Sequence, residues 1–252
     1  MCRQNDLVPS RTLVPGRNIG PVRRAIIFDG DDTLWLTEQL YDSARKQARR
    51  VVEAAGLDGA RWEALERSID VENVGRLGLT TNRFPTSCVE AYRQICEDVA
   101  HAVDASVESA IRTAANTVFE HPAPLVPLAR EALSALKARG FLLALLTKGD
   151  RELQQRRIEQ SGLAPFFDLI SIVPQKTPES ITAVLTRLGV AAASAMSVGN
   201  SLRSDVSPAL VAGVRPVWID AHVWEYERGY NGPIDGRVIA AKDLSHLLRL
   251  AP

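Results

Sequence analysis

The sequence has few cysteines, and their spacing does not suggest a metal or disulfide framework. Cys2, Cys88 and Cys96 are three in number, so they cannot all pair within one chain, and they form no CxxC motif. Cys88 and Cys96 fall on one predicted helix, where we expect them to pack as small apolar side chains. Cysteine usage therefore argues against a disulfide-rich secreted domain and favours a reducing cytoplasm.

A charge excess and long apolar runs are also missing from the sequence. The 30 Lys and Arg residues balance 30 Asp and Glu residues, which argues against a nucleic-acid-binding protein and against a polybasic membrane patch. No apolar run approaches the roughly 18 residues that a membrane-spanning helix needs. Residues 1–22 lack the apolar core of a secretory signal and predict a flexible arm. We therefore expect a cytoplasmic monomer or homodimer that binds neither nucleic acid nor membrane.

Short apolar runs alternate with helical stretches through most of the remaining sequence. Runs that are apolar throughout predict strands buried on both faces, as in a parallel sheet. The helical stretches between them end near Gly162, Gly189 and Gly213, as helices commonly end at glycine. The alternation predicts an α/β fold with a doubly wound, Rossmann-like parallel sheet. The five runs are RAIIF, FLLALLT, FDLISIV, AMSVG and VRPVWI.

One long interval contains no strand-like run. From about Thr37 to His121 the sequence shows only helical stretches, with the loop NVGRLGLTTNRFPTS near their middle. We interpret 37–121 as an all-helical cap inserted into the core, with HPAPLVP as the linker that returns the chain to the sheet. The predicted core therefore consists of 23–36 and 122–252.

Three aspartates crowd the end of the first apolar run. In AIIFDGDDTLW, Asp29, Asp31 and Asp32 lie at the edge where open α/β sheets bind their ligands. Gly30 is expected to let the backbone come close to a ligand. Carboxylates this close become tolerable if a hard divalent cation such as Mg²⁺ neutralises them. One carboxylate can then attack a substrate while its neighbour transfers a proton.

Polar residues also follow the later apolar runs. The second run leads into Thr147 and Lys148, Lys176 comes just after the third, and Asn200 and Asp205 follow the fourth. These supply a hydroxyl for transferred oxygens, a fixed cation and a further acidic group, and together they predict a catalytic site at one sheet edge. The stretch RELQQRR, by contrast, has the composition of an ordinary charged helix face.

These motifs resemble those of the haloacid dehalogenase superfamily. Its first motif, Asp-x-Asp-x-Thr/Val-Leu/Val after a strand, is matched by DGDDTL, which begins at Asp29. Its second, a strand ending on Thr or Ser, is matched at Thr147. Its third is a lysine, here Lys176, often followed two residues later by proline, as Pro178 is. The fourth, Gly-Asp followed by Asp four or five residues on, corresponds to GNSLRSD.

The resemblance implies phosphoryl transfer through an aspartyl-phosphate. Asp29 would attack phosphorus, and Asp31 would protonate the leaving group and then activate the hydrolytic water. Thr147 and Lys176 would hold the phosphoryl oxygens. Mg²⁺ would be bound by Asp29, by the backbone carbonyl of Asp31 and by the fourth motif. Positioning and charge neutralisation are what phosphoryl transfer mostly requires, which agrees with the residue types present.

Two positions depart from the family pattern. Asp32 stands where members often have glycine, and we expect it to form a local turn or helix cap. Asn200 stands where they have aspartate. Its carboxamide oxygen can bind Mg²⁺ but brings no negative charge, so Asp205 is expected to supply the charge and metal binding to be weaker. The sequence leaves open which of Asn200 and Asp205 contacts the metal directly.

The expected reaction follows from Asp31, because the dehalogenases of the superfamily lack an acidic residue there. We therefore expect a phosphatase that acts on a small phosphorylated metabolite. A phosphomutase or phosphotransferase of the same superfamily, and a non-catalytic phosphate-binding protein with a degenerate metal site, are the alternatives. Caps of this family close over the site and choose the substrate. The predicted substrate-binding residues are Thr147, Lys148 and Lys176 in the core and Arg76 and Arg83 in the cap, although the sequence favours a solvated loop for these two arginines.

Overall fold

The computed structural model describes residues 23–221, 223–228 and 236–250. The predicted arm, 1–22, lies outside these described residues. Cys88 and Cys96 are both buried and unpaired, as expected for apolar packing. Within the described ranges, no helix is both long enough and apolar enough to cross a membrane.

Six parallel strands form one sheet within the described residues. They are β1 (Ala25–Phe28), β2 (Leu142–Lys148), β3 (Leu169–Val173), β4 (Ala195–Gly199), β5 (Arg215–Ile219) and β6 (Ile239–Ala241). Their order across the sheet is β3-β2-β1-β4-β5-β6, so β1 has neighbours on both sides. The predicted doubly wound parallel sheet is thus confirmed. The sequence did not reveal β6, because three residues are too few to form a pattern.

Helices cover both faces of this sheet and fill the interval after β1. They are α1 (Glu38–Ala54), α2 (Gly59–Leu77), α3 (Arg83–Asp98), α4 (Ala105–Asn116), α5 (Ala129–Ala138), α6 (Arg151–Ser161), α7 (Pro178–Leu188), α8 (Ser207–Val211), α9 (Glu225–Arg228) and α10 (Leu244–Leu250). Successive strand residues point to opposite faces. Ile26 and Phe28 therefore pack with α5 and α10, whereas Ala25 and Ile27 pack with α7. Burial on both faces explains the continuously apolar runs.

The helices α1 to α4 have a hydrophobic cluster of their own. Its buried residues all lie between Ala44 and Val118, and its largest side chains include Trp62, Phe84 and Tyr92. The Trp62 ring nitrogen donates to the Cys88 carbonyl (3.1 Å), which satisfies the polar atom that this large side chain buries. The interval that the sequence predicted to be helical is helical, and it is packed around its own core.

The two connections between this helical insert and the sheet run side by side. The Leu36 N–H donates to the Pro124 carbonyl (2.7 Å), and the Val126 N–H donates to the Leu34 carbonyl (3.0 Å). Trp35 and Leu125 form an antiparallel bridge between the same two segments. The outgoing and returning chains are therefore one narrow, hydrogen-bonded connection.

The loop predicted in the middle of the insert is much shorter than expected. The sequence placed a loop over residues 73–87, but α2 continues to Leu77 and α3 already begins at Arg83. Gly75 is tolerated inside α2, and Gly78, at φ 65°, ends that helix. Pro85 lies in the first turn of α3, where its missing N–H costs no helical hydrogen bond.

Candidate active site

The carboxyl ends of β1, β2 and β4 and the loop after β3 surround one cavity of about 130 Å³. Helices α1, α2 and α3 also line it, through Tyr41, Asp70 and Arg83 among others. Of the predicted site residues in the described part of the chain, only Arg76 does not line this cavity. Those that do are Asp29, Asp31, Arg83, Thr147, Lys148, Lys176, Asn200 and Asp205.

Lys176 lies between two buried carboxylates. Its ammonium donates to Asp29 Oδ1 and to Asp205 Oδ1, the latter over 2.6 Å, and its side chain is almost fully buried. The other oxygen of Asp29 accepts from the Thr33 hydroxyl (3.1 Å). Although burial alone would lower the pKa of Lys176, the carboxylates of Asp205 and Asp29 raise it above its ordinary value. The lysine is therefore a fixed positive charge.

The carboxyl group of Asp29 is in a crowded acidic environment. Burial is the main cause that raises its pKa, to about 7, and the negative charges of Asp205 and Asp31 act in the same direction. Lys176 opposes this rise, but one ammonium cannot fully compensate several carboxylates. The site therefore has an excess of negative charge at the end of β1.

Asp205 is held against the end of β4 by backbone contacts. It lies in a π-helical turn, Leu202–Val206, a structure that often marks functional sites. Its Oδ2 accepts from the Ser201 N–H (3.0 Å). A Cβ atom at Gly199 would collide with this carboxylate, so only glycine leaves room for it. Asn200, which lies between Gly199 and Asp205 in the sequence, is buried. Its backbone carbonyl accepts from the Trp218 ring nitrogen (2.9 Å).

The carboxylate of Asp31 has three donors. The Trp35 ring nitrogen donates to Oδ1 (2.7 Å), while Gln154 Nε2 (2.8 Å) and Arg157 Nη1 (2.9 Å) both donate to Oδ2. Gln154 also links Asp31 to Thr147, whose hydroxyl donates to Gln154 Oε1 (3.2 Å). The sequence did not indicate Gln154 and Arg157, because the composition of RELQQRR is typical of an ordinary charged helix face. Their spacing, one helical turn apart just after the second motif, was the available signal.

Lys148 is engaged by a buried carboxylate that the sequence did not indicate. Its ammonium donates to Glu227, in α9, and to the Ser204 hydroxyl (2.6 Å). The hydroxyls of Ser201 and Ser204 also donate to Glu227. Although burial acts in the opposite direction, Lys148 and these hydroxyls hold the pKa of Glu227 below its ordinary value. The charge of Lys148 is thus balanced within the protein, and its predicted role as a substrate ligand gains no support from this geometry.

The two predicted cap arginines lie in different places, and both are helical rather than in a loop. Arg83 is buried, pairs with Asp70, and stacks over Trp224 with 4.3 Å between the guanidinium carbon and the ring centre. Arg76 is exposed, and its guanidinium binds Asn73 Oδ1 (2.7 Å) and Glu90 on the surface of α2 and α3. Arg83 therefore faces the cavity, whereas the position of Arg76 gives no support to its predicted role.

Gly30 has a packing constraint that the sequence did not indicate. We expected it to let the backbone approach a ligand, but the space beside it is filled by the indole ring of Trp35, with which a Cβ at Gly30 would collide. Trp35 is almost completely buried while its ring nitrogen reaches Asp31. The glycine therefore allows the tryptophan to lie beneath Asp31.

Asp32 has the capping role expected from the sequence. Its carboxylate accepts from the Thr37 N–H (2.9 Å), the Thr37 hydroxyl (2.7 Å) and the Glu38 N–H (3.1 Å), at the start of α1. Its φ is 58°, a left-handed conformation that aspartate tolerates better than most residues. The left-handed backbone here would also suit glycine, and the aspartate side chain adds a cap to α1.

Replacing Asp32 should show separate costs for the lost cap and for the backbone conformation. We expect Asp32→Gly to destabilise the protein by about 1 kcal/mol, the usual value of a helix cap, and Asp32→Ala by a further ~1 kcal/mol, because alanine must adopt a positive φ. Urea unfolding measures both. Asp58, which caps α2 at an ordinary φ of −71°, is the matched control. If the alanine–glycine difference is the same at positions 32 and 58, the backbone explanation is wrong.

Comparison with known proteins gives one consistent family. The model of the haloacid dehalogenase-like hydrolases matches residues 23–213. The chain is 30% identical to a phosphoserine phosphatase of Thermus thermophilus, over 78% of this chain and 88% of the relative. It is 29% identical to a glyceraldehyde 3-phosphate phosphatase of Methanopyrus kandleri, over 78% and 83% respectively. A crystal structure of a haloacid dehalogenase-like family hydrolase from Xanthomonas campestris superposes with a TM-score of 0.73 and 27% identity, covering 92% of this chain and 95% of that one.

These matches confirm the predicted superfamily and the predicted enzyme class, a phosphatase-type hydrolase. The family match extends from just before the first motif to beyond the fourth, so it includes Asp29, Thr147, Lys176 and Asp205. The chain belongs to the haloacid dehalogenase-like hydrolase family.

Proposed function

We propose that this protein is a Mg²⁺-dependent phosphatase that hydrolyses a small phosphorylated metabolite through an aspartyl-phosphate on Asp29. The observation that carries this proposal is the buried ammonium of Lys176 between Asp29 and Asp205. This arrangement fixes a nucleophilic carboxylate beside a positive charge that can bind a phosphoryl group. Relatives named as phosphoserine and glyceraldehyde 3-phosphate phosphatases support a phosphate monoester as substrate.

The first half-reaction transfers the phosphoryl group to the protein. Asp29 attacks phosphorus with a carboxylate oxygen, and the bond from phosphorus to the leaving oxygen breaks. Asp31 gives its proton to that oxygen, so the product leaves as an alcohol. Lys176 and the Thr147 hydroxyl contact the transferred oxygens, which places positive charge and a hydrogen bond where negative charge accumulates.

The second half-reaction returns Asp29 to its free form. Asp31, now ionised, takes a proton from a water molecule, and the resulting oxygen attacks the phosphorus of the aspartyl-phosphate. The bond from phosphorus to Asp29 breaks, and inorganic phosphate leaves. Asp31 ends protonated, ready for the next substrate, so one residue serves as acid and then as base.

The residues at the ends of β1 and β4 suit a Mg²⁺ ion. Asp29 and Asp205 are buried and share one ammonium, so an excess negative charge is left for a cation to neutralise. We propose that these carboxylates, the Asn200 amide oxygen and the Asp31 backbone carbonyl hold it, since Mg²⁺ prefers oxygen ligands. When bound, the ion would supply positive charge to the phosphoryl oxygens.

We further propose that the helical insert, 37–121, is a cap that determines which substrate enters. Its helices line the cavity opposite the sheet, and a single hydrogen-bonded connection joins it to the core. The cavity of about 130 Å³ has room for a small molecule only. Arg83 is the cap residue best placed to meet an anionic group of the substrate, because it is a buried guanidinium at the cavity wall.

A Mg²⁺ titration tests the proposed metal site. Phosphate release from a panel of phosphorylated metabolites should require added Mg²⁺ and stop with EDTA. Asn200→Asp adds a charged ligand, so half-maximal activation should move to at least about threefold lower Mg²⁺. Asp205→Asn leaves a neutral amide in place of the carboxylate, so half-maximal activation should require at least about tenfold more Mg²⁺.

The direction of the two shifts distinguishes the alternatives. Opposite shifts support a working metal site that includes both residues. Identical activation curves for the wild type and Asp205→Asn would show that the metal site is wrongly placed. A wild type that releases no phosphate from any ester with Mg²⁺ would favour the non-catalytic alternative.

A further inference from the structure

Helix α6 presents two buried polar side chains to the active-site cavity. Gln154 and Arg157 lie one helical turn apart, and both line the cavity wall beneath the end of β2. Asp150 caps the helix by accepting from the Leu153 N–H (3.0 Å), which fixes where this face points. A buried arginine is costly unless its charge is paired, so its presence here calls for an explanation.

Both side chains bind the same oxygen of Asp31. Gln154 Nε2 and Arg157 Nη1 donate to Oδ2, over 2.8 and 2.9 Å, and Trp35 donates to the other oxygen. The Arg157 side chain is 6% exposed and that of Asp31 is 30% exposed. The donors therefore cover one side of the carboxylate and leave the cavity side accessible.

We propose that Gln154 and Arg157 are positioning residues for the acid–base carboxylate of Asp31, an inference that rests on the proposed phosphatase function. A carboxylate turns easily about its terminal bond, and proton transfer needs an oxygen within hydrogen-bond reach of the leaving group. Three fixed donors restrict that rotation. Tyr41 of α1 and Arg157 line the same cavity, so the proposed cap and this group of residues face one site.

The two residues differ in one further contact, which separates their expected effects. Gln154 also accepts from the Thr147 hydroxyl and donates to the Lys148 carbonyl (3.1 Å), so it supports the phosphate side of the site as well. In the described part of the chain, Arg157 makes no hydrogen bond to Thr147 or Lys176, the residues proposed to bind the phosphoryl group. Loss of Arg157 should therefore affect proton transfer selectively, whereas loss of Gln154 should affect proton transfer and phosphate binding together.

Two aryl phosphates of similar shape test this inference. p-Nitrophenolate leaves without needing a proton, whereas phenolate is a poor leaving group, and kcat/KM reports the steps through phosphoryl transfer. We expect Arg157→Lys, which keeps the charge but loses the planar fork, to lower kcat/KM about 10²-fold with phenyl phosphate and less than about fivefold with p-nitrophenyl phosphate. Gln154→Ala should lower kcat/KM with both substrates, and it should lower it further with phenyl phosphate than with p-nitrophenyl phosphate.

Neighbouring exposed residues on α6 provide matched controls. Gln155 binds Glu159 of its own helix (2.7 Å), and Arg156 donates to the Phe119 carbonyl (3.2 Å), both in exposed positions. Gln155→Ala and Arg156→Lys should leave both rates near those of the wild type. A circular dichroism melt on each variant shows whether it is folded at the assay temperature.

A double-mutant cycle with Asp31→Asn completes the test. If Arg157 acts through Asp31, adding Arg157→Lys to Asp31→Asn should change phenyl phosphate hydrolysis by less than about twofold. Equal losses for both aryl phosphates, or fully additive losses in the cycle, would overturn the positioning role. If Asp31→Asn itself leaves both rates unchanged, it is the proposed acid–base function that fails.

Discussion

The Asp29→Asn variant is expected to lose phosphatase turnover by more than about 10³-fold, because the neutral amide oxygen is too weak a nucleophile to attack phosphorus and form an acyl phosphate. Asparagine has almost the volume of aspartate, and Lys176 keeps Asp205 as its partner. The fold should therefore persist, and the thermal midpoint should stay close to that of the wild type. Phosphate release at saturating Mg²⁺ measures the loss.

Trapping of the intermediate tests the covalent step directly. Acid quenching of the wild type during turnover should give a protein heavier by one phosphoryl group, and peptide mapping should locate it at Asp29. Asp98→Asn, which removes a carboxylate from a partly exposed ion pair with Arg61, is the control and should keep full activity. Turnover at the wild-type rate in the Asp29→Asn variant would exclude Asp29 as the nucleophile.

Lys176→Met is expected to cause a large loss of both activity and stability. Without the ammonium, Asp29 and Asp205 are left as uncompensated buried carboxylates, a change that costs about 3–5 kcal/mol in comparable sites. Turnover should also fall by more than about 10³-fold, because positive charge at the transferred oxygens is lost. Urea unfolding and phosphate release measure the two effects.

An exposed lysine and a second substitution make this prediction specific. Lys137, whose side chain is 36% exposed, pairs with Asp168 over 2.7 Å, and Lys137→Met should cost less than about 1 kcal/mol. Adding Asp29→Asn to Lys176→Met removes one unpaired charge, so it should recover part of the stability and none of the activity. If both lysine variants unfold at the same urea concentration, the buried pairing of Lys176 does not stabilise the fold.

The sequence alone was sufficient for five of the six described strands and for the positions of the principal groups of the site. Strands buried on both faces must be apolar at every residue, so RAIIF or AMSVG is recognisable locally. The carboxyl ends of parallel strands meet at one edge, so Asp29, Thr147 and Asp205 could be expected near each other before any coordinates. Lys176, just after the third strand, follows by the same argument. The interval after β1 could be predicted as helical, but the five-residue loop that joins α2 to α3 could not.

Only the tertiary structure decided which partner each of the other side chains has. Arg157 and Gln154 meet Asp31 across more than 120 positions of sequence, and Glu227 meets Lys148 across 79. Composition assigned the α6 residues to a solvated face, and its position directly after the second strand assigned Lys148 to the substrate. Periodicity specifies which face of an element is apolar, because burial repeats along the chain. It does not specify which buried polar group lies opposite another, because that depends on how distant elements pack. Whether a buried charge is paired, and so whether its burial is costly, is therefore determined by the tertiary structure.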